Sequence, residues 1–147
     1  MVQVRALRAD DFAEWKALWH GYQSFYGHPN RGDAFFETAF ARLISGDARD
    51  FQALVAEDEG RLLGLTHFVF HPNLWRPEGV CYLQDLFTAP EARGRGVARA
   101  LIEAVYTAAD ARGVPSVYWL TAEDNAAAPM LYDRVAENTG FIRYARR

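Results

Sequence analysis

The chain has 147 residues and a formal net charge of −3, and half of its residues are apolar. This is the composition of a globular protein with a substantial core, and the acidic balance argues against nucleic-acid binding. No apolar run is long enough to cross a bilayer, and the N-terminus lacks the basic-then-apolar pattern of a secretory signal. The lone Cys81 excludes an internal disulfide, so we expect a cytoplasmic protein without membrane or nucleic-acid partners.

Hydrophobic periodicity predicts an alternation of strands and helices along the whole chain. The elements predicted in the first half are a strand over 2–7, a helix from Asp10, an aromatic connection over 21–33, a helix ending near Gly46, and strands over 51–57 and 62–70. Those predicted in the second half are a strand over 80–88, a helix from Val97, a strand over 116–121, a helix over 125–136 and a last strand over 141–144. No linker or repeat interrupts this order, so we expect a single domain over residues 1–147.

The most informative segment is the turn at residues 93–98, Arg-Gly-Arg-Gly-Val-Ala, between a predicted strand and a long amphipathic helix. Backbone amides at a helix N-terminus, together with glycines that let an anion approach closely, form a phosphate site. A dinucleotide fingerprint needs a third glycine, where this chain has Arg99, and a P-loop needs Gly-Lys-Ser/Thr, which is absent. The segment therefore predicts a site for some other pyrophosphate ligand.

The second half of the chain resembles the GCN5-related N-acetyltransferase (GNAT) superfamily. Residues 93–98 fit its acyl-CoA pattern Arg/Gln-x-x-Gly-x-Gly/Ala, and Asn125, Ala128 and Tyr132 reproduce the spacing of its later helix. The resemblance extends over residues 81–144. It implies an α/β fold with a central mixed, mostly antiparallel sheet flanked by helices, in the order β-α-α-β-β-β-α-β-α-β.

The resemblance also implies a cofactor, acetyl-CoA, and an acceptor that is a primary amine of a polyamine, a diamino acid, another small molecule or a protein lysine. The cofactor-binding residues that it implies are Leu86, Phe87, Thr88, Arg93, Gly94, Arg95, Gly96, Val97, Ala98, Arg99 and Asn125. Related enzymes are often homodimers, so a homodimer is an expectation here. The alternative is a non-catalytic acyl-CoA-binding sensor or interaction module.

For catalysis, the resemblance makes Tyr132 the general acid that protonates the departing thiolate. Residues 82–87, Tyr-Leu-Gln-Asp-Leu-Phe, resemble the polyamine and histone-type branch of the superfamily. A glutamate of that branch is replaced by Gln84, which cannot accept a proton at neutral pH. Asp85 is the best remaining candidate for the general base, and Glu123, Asp124 or water alone stay open as alternatives.

Other catalytic chemistries find little support in the sequence. His67 and His71 are four residues apart on a predicted strand, where that spacing does not bring two side chains together, so we expect no metal site. No residue is a good covalent acyl carrier. We therefore expect direct transfer in a ternary complex rather than a ping-pong route.

Overall fold

A mixed sheet forms the centre of the computed structural model, which describes residues 1–122 and 128–147. Its strands are β1 Gln3–Ala6, β2 Gln52–Asp58, β3 Arg61–Asn73, β4 Arg76–Thr88 and β5 Val117–Tyr118. The helices are α1 Phe12–Phe25, α2 Asp33–Leu43, α3 Val97–Ala111 and α4 Ala128–Val135, with short 3₁₀ turns at Ala9–Asp11 and Pro90–Ala92. Within the described ranges, no helix is long and apolar enough to span a membrane.

The strands lie in the order β1-β2-β3-β4-β5, with antiparallel pairing from β1 to β4 and parallel pairing of β4 with β5. Antiparallel neighbours can be joined by short hairpins, whereas the parallel pair needs a crossover, and α3 provides it. The predicted mixed, mostly antiparallel sheet flanked by helices is confirmed.

Both faces of the sheet are covered because the strands carry apolar side chains in both directions. On one face, Trp15 of α1 and Phe36 of α2 pack with Leu65 and Phe87, and all four side chains are buried. On the other face, the apolar stripe of α3 packs onto the sheet, with Leu101 fully buried. The turn at residues 93–98 connects the end of β4 to α3, so the sheet and the α3 layer together position the candidate site.

Three sequence predictions need correction. Residues 141–144 form no strand, and Phe141 and Tyr144 are each 89% exposed. The helix α1 extends through Gly21 to Phe25, where we predicted a connection, and the Gly21 backbone lies against the Phe87 ring. The strand predicted over 116–121 is reduced to Val117–Tyr118.

Candidate active site

The end of β4 presents an open backbone edge. β5 pairs with β4 only at Cys81 and Tyr82, so residues 83–88 of β4 have no partner on that side among the described strands. Leu86, Phe87 and Thr88, which the sequence predicts to bind the cofactor, lie along this edge. An extended ligand arm that carries amide groups could hydrogen-bond here as an additional strand would.

The turn at residues 93–98 follows β4 and connects it to the N-terminus of α3. Gly94 and Gly96 have φ of 83° and 77°, values in the left-handed region that glycine adopts without strain. Gly96 is the N-cap of α3 and provides no side-chain cap, so the first-turn amides of Val97, Ala98 and Arg99 are available to an anion.

A cavity of about 300 Å³ opens at this helix terminus and is lined by Thr88, Arg93, Gly94, Gly96, Val97, Ala98, Arg99 and Leu131. The buried Thr88 hydroxyl lines this cavity and has no hydrogen-bond partner among the described residues, so it is able to bond a polar ligand. The residues present therefore fit a pyrophosphate group.

The arginines of the loop have different surroundings. Arg95 forms an ion pair with Asp58, which also binds the N-terminal ammonium of Met1, so the Arg95 guanidinium is directed to β2. Arg99 pairs with Glu103 at 2.8 Å, one turn further along α3. Arg93 lies 5.7 Å from the Phe25 ring centre and lines the cavity. The Arg95 and Arg99 pairs are exposed, so their loss to a phosphate would cost little.

A β-bulge at Gln84 decides which way Asp85 points. His67 of β3 lies opposite Asp85, but the next residue, Phe68, lies opposite Leu83, so Gln84 is the extra residue in β4. An extra residue reverses the alternation of side chains that follow it. Leu83 packs in the α3 layer, whereas Asp85 lies on the α1 face beside His67.

Asp85 is only 8% exposed, and hydrogen bonds to neighbouring side chains hold it in place. Its Oδ2 atom is 2.9 Å from Nδ1 of His67 and accepts a hydrogen bond from Nε2 of Gln84 at 3.2 Å. His67 in turn accepts a hydrogen bond from the indole Nε1 of Trp15 at 3.0 Å. Within a largely apolar layer, this carboxylate thus has one polar partner on β3 and one on its own strand, β4.

The Tyr22 phenol of α1 lies next to this carboxylate. Burial raises the pKa of Tyr22, and the Asp85 carboxylate and the phenols of Tyr26 and Tyr132 add to the effect. Burial, with a smaller contribution from Tyr26, raises the pKa of Tyr132 as well. The phenols of Tyr22 and Tyr132 therefore stay protonated at neutral pH.

The Tyr132 ring is oriented by packing at the other side of the open edge. It meets Trp119 edge to face at a centroid distance of 5.4 Å. The end of α4 is tied to α3 because the Tyr106 hydroxyl donates a hydrogen bond to the Val135 carbonyl at 2.9 Å. The contact with Trp119 and the bond between α3 and α4 therefore fix the position of the Tyr132 ring.

Not every predicted residue can be placed. Asn125, Glu123 and Asp124 lie outside the described residues. His67 and His71 do not converge, since His71 lies beyond the bulge and its Nε2 is 2.9 Å from the Tyr118 hydroxyl. No group of three or more potential metal ligands occurs within residues 1–122 and 128–147.

Sequence reasoning assigned none of Tyr22, Trp15 and His67 to the surroundings of Asp85. Tyr22 fell within a segment predicted to be a connection, and the structure places it on α1 facing Asp85. His67 was considered only as a metal ligand. A signal was present, since His67 is a titratable residue inside the apolar run 62–70, where a buried polar group needs a partner.

The comparisons with known proteins agree with this geometry. A profile of the Acetyltransferase (GNAT) family matches residues 12–136. The chain belongs to the GNAT acetyltransferase family. D-amino-acid N-acetyltransferase HPA3 of Saccharomyces cerevisiae is 37% identical over 146 residues, which are 99% of this chain and 90% of the yeast protein. The chain is accordingly an N-acetyltransferase.

Two solved GNAT structures are similar in fold. A ribosomal-protein-alanine N-acetyltransferase from Brucella melitensis biovar Abortus superposes with a TM-score of 0.84 at 23% identity, covering 100% of this chain and 99% of that one. AAC(6')-Iy in complex with the bisubstrate analog CoA-S-monomethyl-acetylneamine gives a TM-score of 0.83 at 19% identity, covering 100% and 98%. At these identities the likeness supports the fold alone.

Proposed function

We propose that this GNAT acetyltransferase moves an acetyl group from acetyl-CoA directly to a primary amine within a ternary complex. The observation that carries the proposal is the buried Asp85 carboxylate, held by His67 and Gln84 beside the unpaired edge of β4. Tyr132 of α4 lies near Tyr22, the phenol that faces Asp85. A carboxylate and a protonated phenol in one site are a base and an acid for the same transfer.

The cofactor would be held by backbone more than by side chains. The first-turn amides of Val97, Ala98 and Arg99 would bind the pyrophosphate, with Arg93 beside them, and the open edge at residues 86–88 would bind the pantetheine arm. Acetyl-CoA, when bound, supplies an activated acyl group as a thioester. A backbone amide from the same edge would donate to the thioester oxygen, which develops negative charge in the transition state.

Asp85 and Tyr132 would then divide the proton transfers. Asp85 accepts a proton from the attacking amine, directly or through a water, so that the nitrogen lone pair is free to form the new bond. Tyr132 donates its phenolic hydrogen to the departing sulfur. The raised pKa of Tyr132 keeps that phenol protonated until it is needed.

The acceptor would approach over the α1 face, where aromatic rings form a wall. Tyr82 and Tyr118 stack with a centroid distance of 4.9 Å, and the Tyr118 hydroxyl contacts His71. Aromatic faces beside a carboxylate suit a cationic amine before it loses its proton. The resemblance suggests polyamines, diamino acids, other small amines and protein lysines as acceptors, and the name of the yeast relative adds D-amino acids.

The test is thiol release from acetyl-CoA with a panel of D- and L-amino acids, polyamines, aminoglycosides and histone-tail peptides. We expect saturable turnover with one of these classes. Calorimetry with CoA runs in parallel, because CoA binding without turnover of any acceptor would favour the non-catalytic sensor. Absence of both turnover and CoA binding would refute the assignment of residues 93–98 to the cofactor.

We also propose that residues 1–147 act as one catalytic domain in the cytoplasm, as a homodimer. The homodimer is supported by exposed apolar side chains near the C-terminus, where Phe141 and Ile142 are 89% and 70% exposed. Apolar groups that the chain itself leaves uncovered are typical of a surface buried against a partner. Light scattering at several protein concentrations measures the oligomeric state.

A further inference from the structure

A chain of hydrogen bonds runs from α1 through β3 to Asp85 in the buried layer under α1. The Trp15 indole donates to Nε2 of His67 at 3.0 Å, and Nδ1 of His67 is 2.9 Å from Oδ2 of Asp85. Trp15 is 0% exposed, His67 is 3% exposed and Asp85 is 8% exposed. Polar side chains this deep are costly unless their bonds are made, so the arrangement calls for a reason.

The indole determines which nitrogen of His67 carries the hydrogen. A tryptophan Nε1 is a donor only, so the Nε2 atom of His67 has to accept. In the neutral imidazole the hydrogen then lies on Nδ1, which donates it to the Asp85 carboxylate. Trp15 therefore orients the ring of His67 and selects the tautomer that faces Asp85.

His67 and Gln84 both bond Oδ2 of Asp85 and leave Oδ1 free of their own contacts. The Tyr22 hydroxyl of α1 also interacts with this carboxylate. His67 lies directly opposite Asp85 in the β3–β4 pair, at the bulge that turns Asp85 toward α1. A bulge leaves a strand without its regular ladder bonds, so a side chain there needs another restraint.

We propose that His67 is a positioning residue: its Nδ1–H holds the Asp85 carboxylate in the orientation that presents Oδ1 to the acceptor amine, and Trp15 fixes the tautomer. The inference rests on the proposed role of Asp85 as the base. In that step an N–H bond of the amine breaks, an O–H bond forms at Oδ1, and the electron pair stays on nitrogen for attack. His67 keeps its own hydrogen throughout.

A matched pair of variants tests the inference. In His67→Asn the side-chain amide nitrogen can take the place of Nδ1 and donate to Asp85, but the side chain is too short to reach Trp15. In His67→Gln the carbonyl oxygen can take the place of Nε2 and accept from Trp15, but no donor faces Asp85. Each variant thus keeps one bond of His67 and loses the other.

We expect His67→Asn to retain kcat within a few-fold and His67→Gln to lose kcat by roughly 10²-fold, as misplaced catalytic groups do. The Kd for acetyl-CoA should stay unchanged in both. A merely structural role would instead lower the melting temperature of both without separating their kcat values. Equal kcat in the two variants, whether high or low, would therefore overturn the inference.

Asp85→Asn separates this inference from the proposed function. If Asp85→Asn retains kcat, the proposed base is wrong and the role of His67 falls with it. If Asp85→Asn loses kcat while His67→Gln retains it, the base stands and the positioning role is refuted. Should either His67 variant fail to fold by circular dichroism, Trp15→Phe removes the indole donor instead. A lowered kcat with unchanged acetyl-CoA affinity in Trp15→Phe supports the inference, and an unchanged kcat refutes it.

Discussion

The substitution Tyr132→Phe removes one hydroxyl group and leaves the rest of the site in place. The ring keeps its edge-to-face contact with Trp119 at 5.4 Å, so packing of α4 should change little. Loss of a general acid lowers rates by roughly 10²–10⁴-fold. This corresponds to about 3–5 kcal/mol of transition-state stabilisation. We therefore expect kcat to fall by that factor while the Kd for acetyl-CoA stays constant.

The assay is thiol release at saturating acetyl-CoA and acceptor, with acetyl-CoA affinity measured separately by calorimetry. Tyr106→Phe is the matched control, because it deletes a hydroxyl that bonds the Val135 carbonyl at the end of the same helix. We expect it to lower the free energy of unfolding by about 1 kcal/mol and to leave kcat unchanged. A Tyr132→Phe enzyme with wild-type kcat, or a Tyr106→Phe enzyme as slow as Tyr132→Phe, would refute the acid assignment.

Two further predictions concern the cofactor loop and acid stability. Gly96→Ala introduces a side chain at φ 77°. We expect the left-handed backbone to cost about 1 kcal/mol of stability. We also expect acetyl-CoA to bind roughly tenfold more weakly, because the first-turn amides are displaced. The control is Gly113→Ala, at φ 76° beyond the other end of α3 and equally free of close contacts. It should cost similar stability without changing the Kd for acetyl-CoA. Equal Kd values for acetyl-CoA in the two variants would contradict the assignment of residues 93–98 to the cofactor. Hydrogen bonds from the Arg5 guanidinium lower the pKa of Asp11, so this carboxylate contributes stability at neutral pH that is lost as the pH falls below about 4. Unfolding in urea should show Asp11→Asn to be less stable than wild type at pH 7, with the difference shrinking toward pH 3; a pH-independent difference would contradict it.

Much of the fold and the cofactor site could be predicted because their signals are local. The helix α3 follows from apolar residues at helical spacing, and its start follows from the turn at residues 93–98. Glycines at positive φ and free first-turn amides depend on nearby backbone alone, so the sequence was sufficient to locate the cavity now seen there. The GNAT resemblance carried by these residues is confirmed by the family match.

The orientation of Asp85 could not be read from the sequence. It depends on a bulge at Gln84, and a bulge is a property of how β3 and β4 pair. A shift of one residue turns a side chain to the opposite face of a sheet, and alternation in one strand does not reveal it. The same limit applies to Phe141, whose segment was predicted to be a strand but pairs with no strand among the residues that the structure describes.

The contact of Trp15 with His67 joins residues that are 52 positions apart, and their pairing needs α1 to lie across β3. The local sequence predicts only that the tryptophan and the histidine are each buried. Periodicity and turn chemistry act over a few residues and specify helices, strands and the phosphate loop. Which buried polar groups meet is decided by packing between layers, and here packing brings together Asp85, His67 and Tyr22.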